Sequence, residues 1–169
     1  MAASTLAAVV VMGVSGAGKS TVGKLIAARL GCPFRDADSF HPQANIEKMS
    51  RGEPLTDADR WPWLQAIAAW IAEHRAAGTT CVVTCSALKR VYRDIVTNKQ
   101  SADVRLVYLK GDFELIAARL AARKGHFMPP GPLRSQFDAL QVPAADEHAI
   151  AVPIDAAPAE IADRLMRRL

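Results

Sequence analysis

Apolar residues along the chain fall into two kinds of run. Short, largely apolar stretches lie at Leu6–Met12, Thr80–Thr84, Val104–Leu109 and Ala149–Ile154, and the first of them is unbroken and without alternation. That is the pattern of strands buried on both faces of a parallel sheet. Longer stretches instead carry apolar side chains three and four apart. Lys19–Leu30 puts Val22, Leu25, Ile26 and Leu30 on one side and stops at Gly31. Trp61–Ala77 does the same with Trp63, Ile67, Trp70 and Ile71, ending before Gly78, and Phe113–Arg123 with Leu115, Ile116 and Leu120. These spacings predict helices with one buried face. Pro33–Asp38 reads as a further strand ending in two carboxylates, and Pro42–Ser50, Leu88–Asn98, Leu133–Leu140 and Pro158–Leu169 read as helices. Arg51–Arg60 and Lys124–Pro132 are polar or Gly/Pro-rich and read as loops. Strands alternate with helices, so the expected architecture is α/β with a parallel sheet and right-handed crossovers. Neither an internal repeat nor an interdomain linker breaks the pattern, which predicts a single domain over 1–169.

Composition narrows the picture slightly. The 169 residues are 50% hydrophobic, but 31 are alanine, so packing must come from the Val, Ile, Leu and Met runs. The net charge of +4 is uneven: Lys89 to Arg134 holds ten basic and four acidic residues, a balance of +6, leaving −2 elsewhere. An anionic partner accounts for that excess, and so does a solvated helix face. Cys32, Cys81 and Cys85 form no CxxC pair, and Cys81 and Cys85 lie in or beside an apolar run, which suits buried free thiols. Met1–Val11 lacks the basic leader of a signal peptide, and apolar runs stay below the ~18 residues of a membrane span. The expectation is a cytoplasmic protein in a reducing environment.

Chemistry enters at Gly13-Val14-Ser15-Gly16-Ala17-Gly18-Lys19-Ser20, which fits GxxxxGK[ST] between an apolar strand and a helix. Glycines let backbone N–H groups turn toward phosphate oxygens, and the following helix start adds partial positive charge. In such a loop Lys19 reaches the β- and γ-phosphates and the Ser20 hydroxyl can ligate Mg²⁺. The strand Val82–Ser86 ends without a Walker-B carboxylate, and no NKxD guanine motif is present, since Asn98-Lys99 continues Gln100-Ser101. Carboxylates must come from elsewhere. Asp36 and Asp38, at the end of the second predicted strand, are the nearest, and alternation on a strand would point both the same way. A cation or a substrate hydroxyl would use the pair; a solvated loop would also accommodate it. Arg119 and Arg123 share a helix face ahead of Lys124 and Gly125, either as phosphate ligands beside a hinge or as ordinary surface arginines.

Several segments together resemble the gluconokinases, small P-loop kinases. They are Met12–Thr21 (MGVSGAGKST), Asp36–Pro42 (DADSFHP), Asn45–Met49 (NIEKM), Gly52–Arg60 (GEPLTDADR) with Pro62–Leu64, Cys85–Lys89 (CSALK) with Tyr92–Asp94, Tyr108–Phe113 (YLKGDF), Arg123–Phe127 (RKGHF) and Ser135–Phe137 (SQF). The resemblance covers nearly the whole chain. It implies a three-layer, nucleoside-monophosphate-kinase-like P-loop fold on a five-stranded parallel sheet, with a mobile lid at about 123–135 and a substrate-binding helical region at about 39–77. It implies ATP and Mg²⁺, transfer of phosphate to the C6 hydroxyl of D-gluconate, and a homodimer that needs neither nucleic acid nor membrane. Carried onto this chain, it assigns Lys19, Asp38 and Arg123 to catalysis, and Gly13, Ser15, Gly16, Ala17, Gly18, Lys19, Ser20, Thr21, Arg119 and Arg123 to the nucleotide. Ser20 and Asp36 would hold the metal. Asp38, His41, Arg60, Ser86, Lys89, His126 and Gln136 would meet the sugar acid, with Arg60 and Lys89 suited to its carboxylate; His41 equally suits the lead into a helix before Pro42. One departure is visible: the family usually has Asp-Gly-Asp where this chain has Asp36-Ala37-Asp38, and Ala37 would strain a turn that needs a positive φ. Related readings are a shikimate kinase or another aldonate kinase, a nucleic-acid-binding ATPase and a non-catalytic P-loop regulator. The HP–NIEKM–GEPL–DADR run argues against the first, the lack of an aromatic-rich basic surface against the ATPase, and intact Lys19, Ser20 and Asp38 against the last.

Overall fold

The computed structural model describes residues 6–99, 101–122 and 130–169. At its centre lies β1 (Ala8–Met12), every residue of which is buried. Beside it run β2 (Phe34–Asp36), β3 (Cys81–Thr84), β4 (Val104–Lys110) and β5 (Ile150–Pro153), in the order β2-β3-β1-β4-β5, all parallel. The unbroken apolar run of β1 is explained by its position, since helices cover both faces. Val10 and Met12 point to one layer, with Trp63, Leu64, Ile67 and Ile71 of α3 (Asp57–Ala77) and Tyr92 and Val96 of α4 (Arg90–Val96). Val9 and Val11 point to the other, with Val22 and Ile26 of α1 (Lys19–Leu30), Ile116 and Leu120 of α5 (Phe113–Ala122), and Ile161 and Leu165 of α7 (Pro158–Met166). The five-stranded three-layer expectation holds. The segment 123–129, which carries most of the expected lid, lies outside the described residues; α6 (Pro130–Ala139) resumes the chain after it.

Two expectations are corrected. Arg51–Arg60 is not a loop throughout: α3 begins at Asp57, where Thr56 accepts the Asp59 N–H and the Asp59 carboxylate accepts the Thr56 N–H. This reciprocal cap stabilises the first turn by about 1 kcal/mol, and it brings Arg60 onto the helix. The second strand stops at Asp36, and Ala37–Phe40 forms a 3₁₀ turn capped by the Asp36 side chain. Asp36 and Asp38 are therefore not strand neighbours pointing alike. Ala37 is buried within that turn and is not among the residues with positive φ, so alanine in place of glycine carries no strain. Its carbonyl accepts the Trp63 indole N–H at 2.8 Å, tying the turn to α3. As expected, the three cysteines are free, with Cys81 and Cys85 buried.

Candidate active site

The C-terminal ends of β1, β3 and β2 open on one edge of the sheet. The register sets Thr84 level with both Val11 and Asp36, so the phosphate loop, the loop after β3 and the Asp36 turn must meet there. In the phosphate loop Gly16 and Gly18 adopt φ of +83° and +93°, conformations that disfavour any side chain. A Cβ on Gly16 would also lie 2.8 Å from Leu120 Cγ on α5, so the loop is seated against that helix. Gly18 precedes α1 and offers no side-chain cap, which leaves the first-turn N–H groups and the helix dipole facing the cleft. That cleft, about 270 Å³, is lined by Gly16, Gly18, Lys19, Ser20, Thr21 and Arg119. The Lys19 ammonium donates to the carbonyls of Gly13 (2.9 Å) and Val14 (3.0 Å). Burial pushes its pKa below the ordinary lysine value, opposed by Cys85, Asp36 and Asp38 nearby. The Ala17 N–H turns inward to the Val14 carbonyl (3.2 Å), so Ala17 supports the loop's shape.

Ser20 Oγ donates to Asp36 Oδ2 at 2.6 Å, and Asp36 Oδ1 accepts the Asp38 N–H at 3.2 Å. A hydroxyl and a carboxylate oxygen side by side form a hard donor set that fits Mg²⁺. No group of three or more His, Cys, Asp or Glu that could hold a metal occurs among the described residues.

A second set of groups converges where the start of α3 meets α4 and the residue before it. One oxygen of Asp57 accepts the Tyr92 hydroxyl at 2.5 Å, receives Arg60 Nη1 at 3.4 Å and lies 3.8 Å from Lys89 Nζ. Arg60 also donates to the Tyr92 oxygen at 3.2 Å. The Tyr92 hydrogen bond, followed by the charges of Lys89 and Arg60, holds the Asp57 carboxyl below the usual range. Arg60 and Lys89, far apart in sequence, thus stand at one carboxylate. His41 stacks on Trp63 with ring centroids 4.5 Å apart and approaches Asn45 Nδ2 at 3.3 Å through Nδ1. Burial lowers its pKa, opposed by the Asp38 charge and reinforced by that of Arg60. Asp38 in turn is close enough for its charge to act on both Lys19 and His41. Ser86, half-buried, follows β3 into the same edge.

The remaining site residues divide. Arg119 lines the phosphate cleft and donates to the Ile154 carbonyl. Gln136, expected to meet the sugar acid, contacts the phosphate loop: its amide accepts the Ser15 N–H at 2.7 Å and donates to Ser15 Oγ at 2.8 Å. Arg123 and His126, with Lys124 and Gly125, lie outside the described residues. Tyr92 and Asp57 are site residues that the sequence reading did not assign. Tyr92 sat within a recognised segment, but its meeting with Asp57 joins two helices and leaves no local signal.

A parallel sheet in this order, a GxxxxGK[ST] loop between its first strand and helix, and acidic and basic groups across a cleft define a small P-loop phosphotransferase. Consistently, the sequence model of the shikimate kinase family matches residues 15–168. Comparison of whole sequences is more particular. The chain is 46% identical to the gluconokinase of Gluconobacter oxydans, covering 94% of this chain and 88% of that one, and 44% identical to a probable gluconokinase of Mus musculus, covering 94% and 95%. The solved gluconokinase of Sinorhizobium meliloti is 42% identical, with a TM-score of 0.83 over 98% of this chain and 97% of its own. The chain belongs to the gluconokinase family.

Proposed function

We propose that the protein transfers the γ-phosphoryl group of ATP to the primary C6 hydroxyl of D-gluconate, giving 6-phospho-D-gluconate and ADP. The observation that carries this reading is the convergence of Arg60 and Lys89 on the single carboxylate of Asp57. Two cations that gather on one carboxylate can take the carboxylate of a sugar acid, and the length of the acid then carries its far hydroxyl back toward the phosphates. The C6 oxygen forms a bond to the γ-phosphorus as the bond to the β–γ bridging oxygen breaks, and the hydroxyl proton passes to Asp38. Asp38 suits this role as orienter and proton acceptor because its charge acts on both Lys19 and His41. Lys19 and Arg119 offset charge on the phosphates, joined in this reading by Arg123. Mg²⁺, held by Ser20 and Asp36, would supply further neutralisation of the phosphate oxygens. Ser86 and His41 would bond acceptor hydroxyls, with His126 beside them; Gln136 would act on the phosphate loop through Ser15. A cytoplasmic homodimer accompanies the reading. Among the described residues no helix is long and apolar enough to cross a membrane.

ADP release should be measured with gluconate, shikimate, other aldonates and no acceptor, with the product identified by phosphorus NMR. Gluconate-dependent turnover yielding a C6 phosphate supports the assignment. Turnover with shikimate in preference to gluconate, or none with any sugar acid, overturns it.

A further inference from the structure

Arg93 on α4 has no role in the site above, yet it is the largest fully buried side chain among the described residues, with 1% of its surface exposed. Its guanidinium is committed in four directions. Nε donates to Glu147 Oε1 at 2.7 Å and Nη2 to Glu147 Oε2 at 3.1 Å, while Nη1 donates to the carbonyls of Ala87 (3.0 Å) and Leu88 (3.1 Å). Glu147, also 1% exposed at its side chain, accepts the Ala144 N–H at 2.8 Å. Burial works against its ionisation, but the Arg93 and Ala144 bonds outweigh it and hold the carboxyl below its usual value.

The carbonyls that Arg93 grips belong to the loop between β3 and α4. That loop contains Ala87 at φ +44°, a left-handed conformation that a residue with a Cβ adopts only when its surroundings impose it. The segment after α6 closes on the same loop from outside. Gln141 N–H donates to the Leu88 carbonyl at 2.7 Å, Gln141 Oε1 accepts the Arg90 N–H at 2.9 Å, and Arg90 pairs with Asp146 through bonds of 3.0 and 2.6 Å. Ser86 and Lys89 flank the gripped carbonyls, and Lys89 is one of the two cations at Asp57.

We propose that Arg93 and Glu147 are positioning residues for the acceptor: the buried pair fixes the 85–89 loop so that Ser86 and Lys89 face the sugar acid. This rests on the functional reading above. A buried ion pair is a poor way to gain stability, since apolar residues of similar size commonly replace one at no loss. Such residues cannot donate to Ala87 and Leu88, and that difference separates positioning from simple support.

The test uses the full chain with Arg93→Met/Glu147→Leu and, separately, Arg93→Lys, whose three donors on one nitrogen cannot reproduce the four bonds of the guanidinium fork. The double variant should melt within a few degrees of the parent. Its KM for gluconate should rise about tenfold or more while the KM for ATP stays within about twofold. Amide exchange at Arg90 and Gln141 in the free protein should quicken about tenfold or more. Arg93→Lys should show the same split between the two KM values, so a poorly folding double variant does not end the test. Unchanged gluconate KM and unchanged exchange in either folded variant overturn the proposal, as does an equal loss for both substrates. If the parent protein phosphorylates no sugar acid, the functional reading fails, and the exchange measurement alone then decides whether the pair holds the loop.

Discussion

Arg60→Ala removes one of the two cations at Asp57. In the structure Arg60 reaches Asp57 and the Tyr92 hydroxyl from α3, with 32% of its side chain exposed. A charge-assisted hydrogen bond to a ligand contributes about 1.5–3 kcal/mol, and the partial exposure of Arg60 places it toward the lower end. With every 1.4 kcal/mol worth a factor of ten, the KM for gluconate should rise by about ten- to thirtyfold. Lys89 remains near Asp57, which keeps the loss from being complete. In the proposed reading ATP is held by the phosphate loop, which Arg60 does not line, so its KM should stay within about twofold. The melting temperature should barely move, because the Arg60–Asp57 pair is exposed and screened. Steady-state ADP release with each substrate varied in turn measures both constants. Equal increases in the two KM values, or an unchanged gluconate KM in a folded variant, would refute the placement of the acid's carboxylate at Arg60.

Asp38→Asn should lower kcat by about 10²-fold or more with little change in either KM, as expected for loss of a proton acceptor; single-turnover phosphate transfer at the parent rate would remove that role. Gly16→Ala forces a side chain into a left-handed position and against Leu120, so urea unfolding should report a loss of about 2–4 kcal/mol. A variant as stable as the parent would show that the loop is not seated on α5. The Asp59 carboxyl is held at about 2 by Lys48 and by the N–H and hydroxyl of Thr56. Because its folded pKa lies below the unfolded one, its contribution is present above about pH 4 and fades as pH falls toward 2. The gap in melting temperature between the parent and Asp59→Asn should therefore narrow across that interval, and a constant gap would contradict the sign.

Legibility followed the range over which each signal acts. α1 was readable to the residue because Gly18 and Gly31, both in left-handed conformations, bracket an apolar stripe. β1, with its unbroken run, was equally plain. The start of α3 was not, since the Thr56–Asp59 cap lies within a stretch as polar as a loop. The turn at Ala37 escaped because its conformation depends on Trp63, which donates to its carbonyl from 26 residues away. The phosphate side of the site is local in sequence and was legible as a motif. On the acceptor side Arg60 and Lys89 were found by resemblance, whereas Asp57 and Tyr92 meet across 35 residues and Arg93 and Glu147 across 54, and these meetings leave no periodic trace. Gln136 was assigned by resemblance alone, and its contact with Ser15, 121 residues away, leaves no local signal either.

Cys85, buried beside Lys19, has its thiol pushed up to about 12 by burial, and Cys81 is raised to about the same value. At neutral pH each is therefore held as the less reactive thiol, and each is shielded from solvent. The phosphate-binding machinery is thereby insulated from oxidants by its own interior. Labelling of the native protein with a maleimide should count one modified cysteine, the half-buried Cys32, and leave turnover intact.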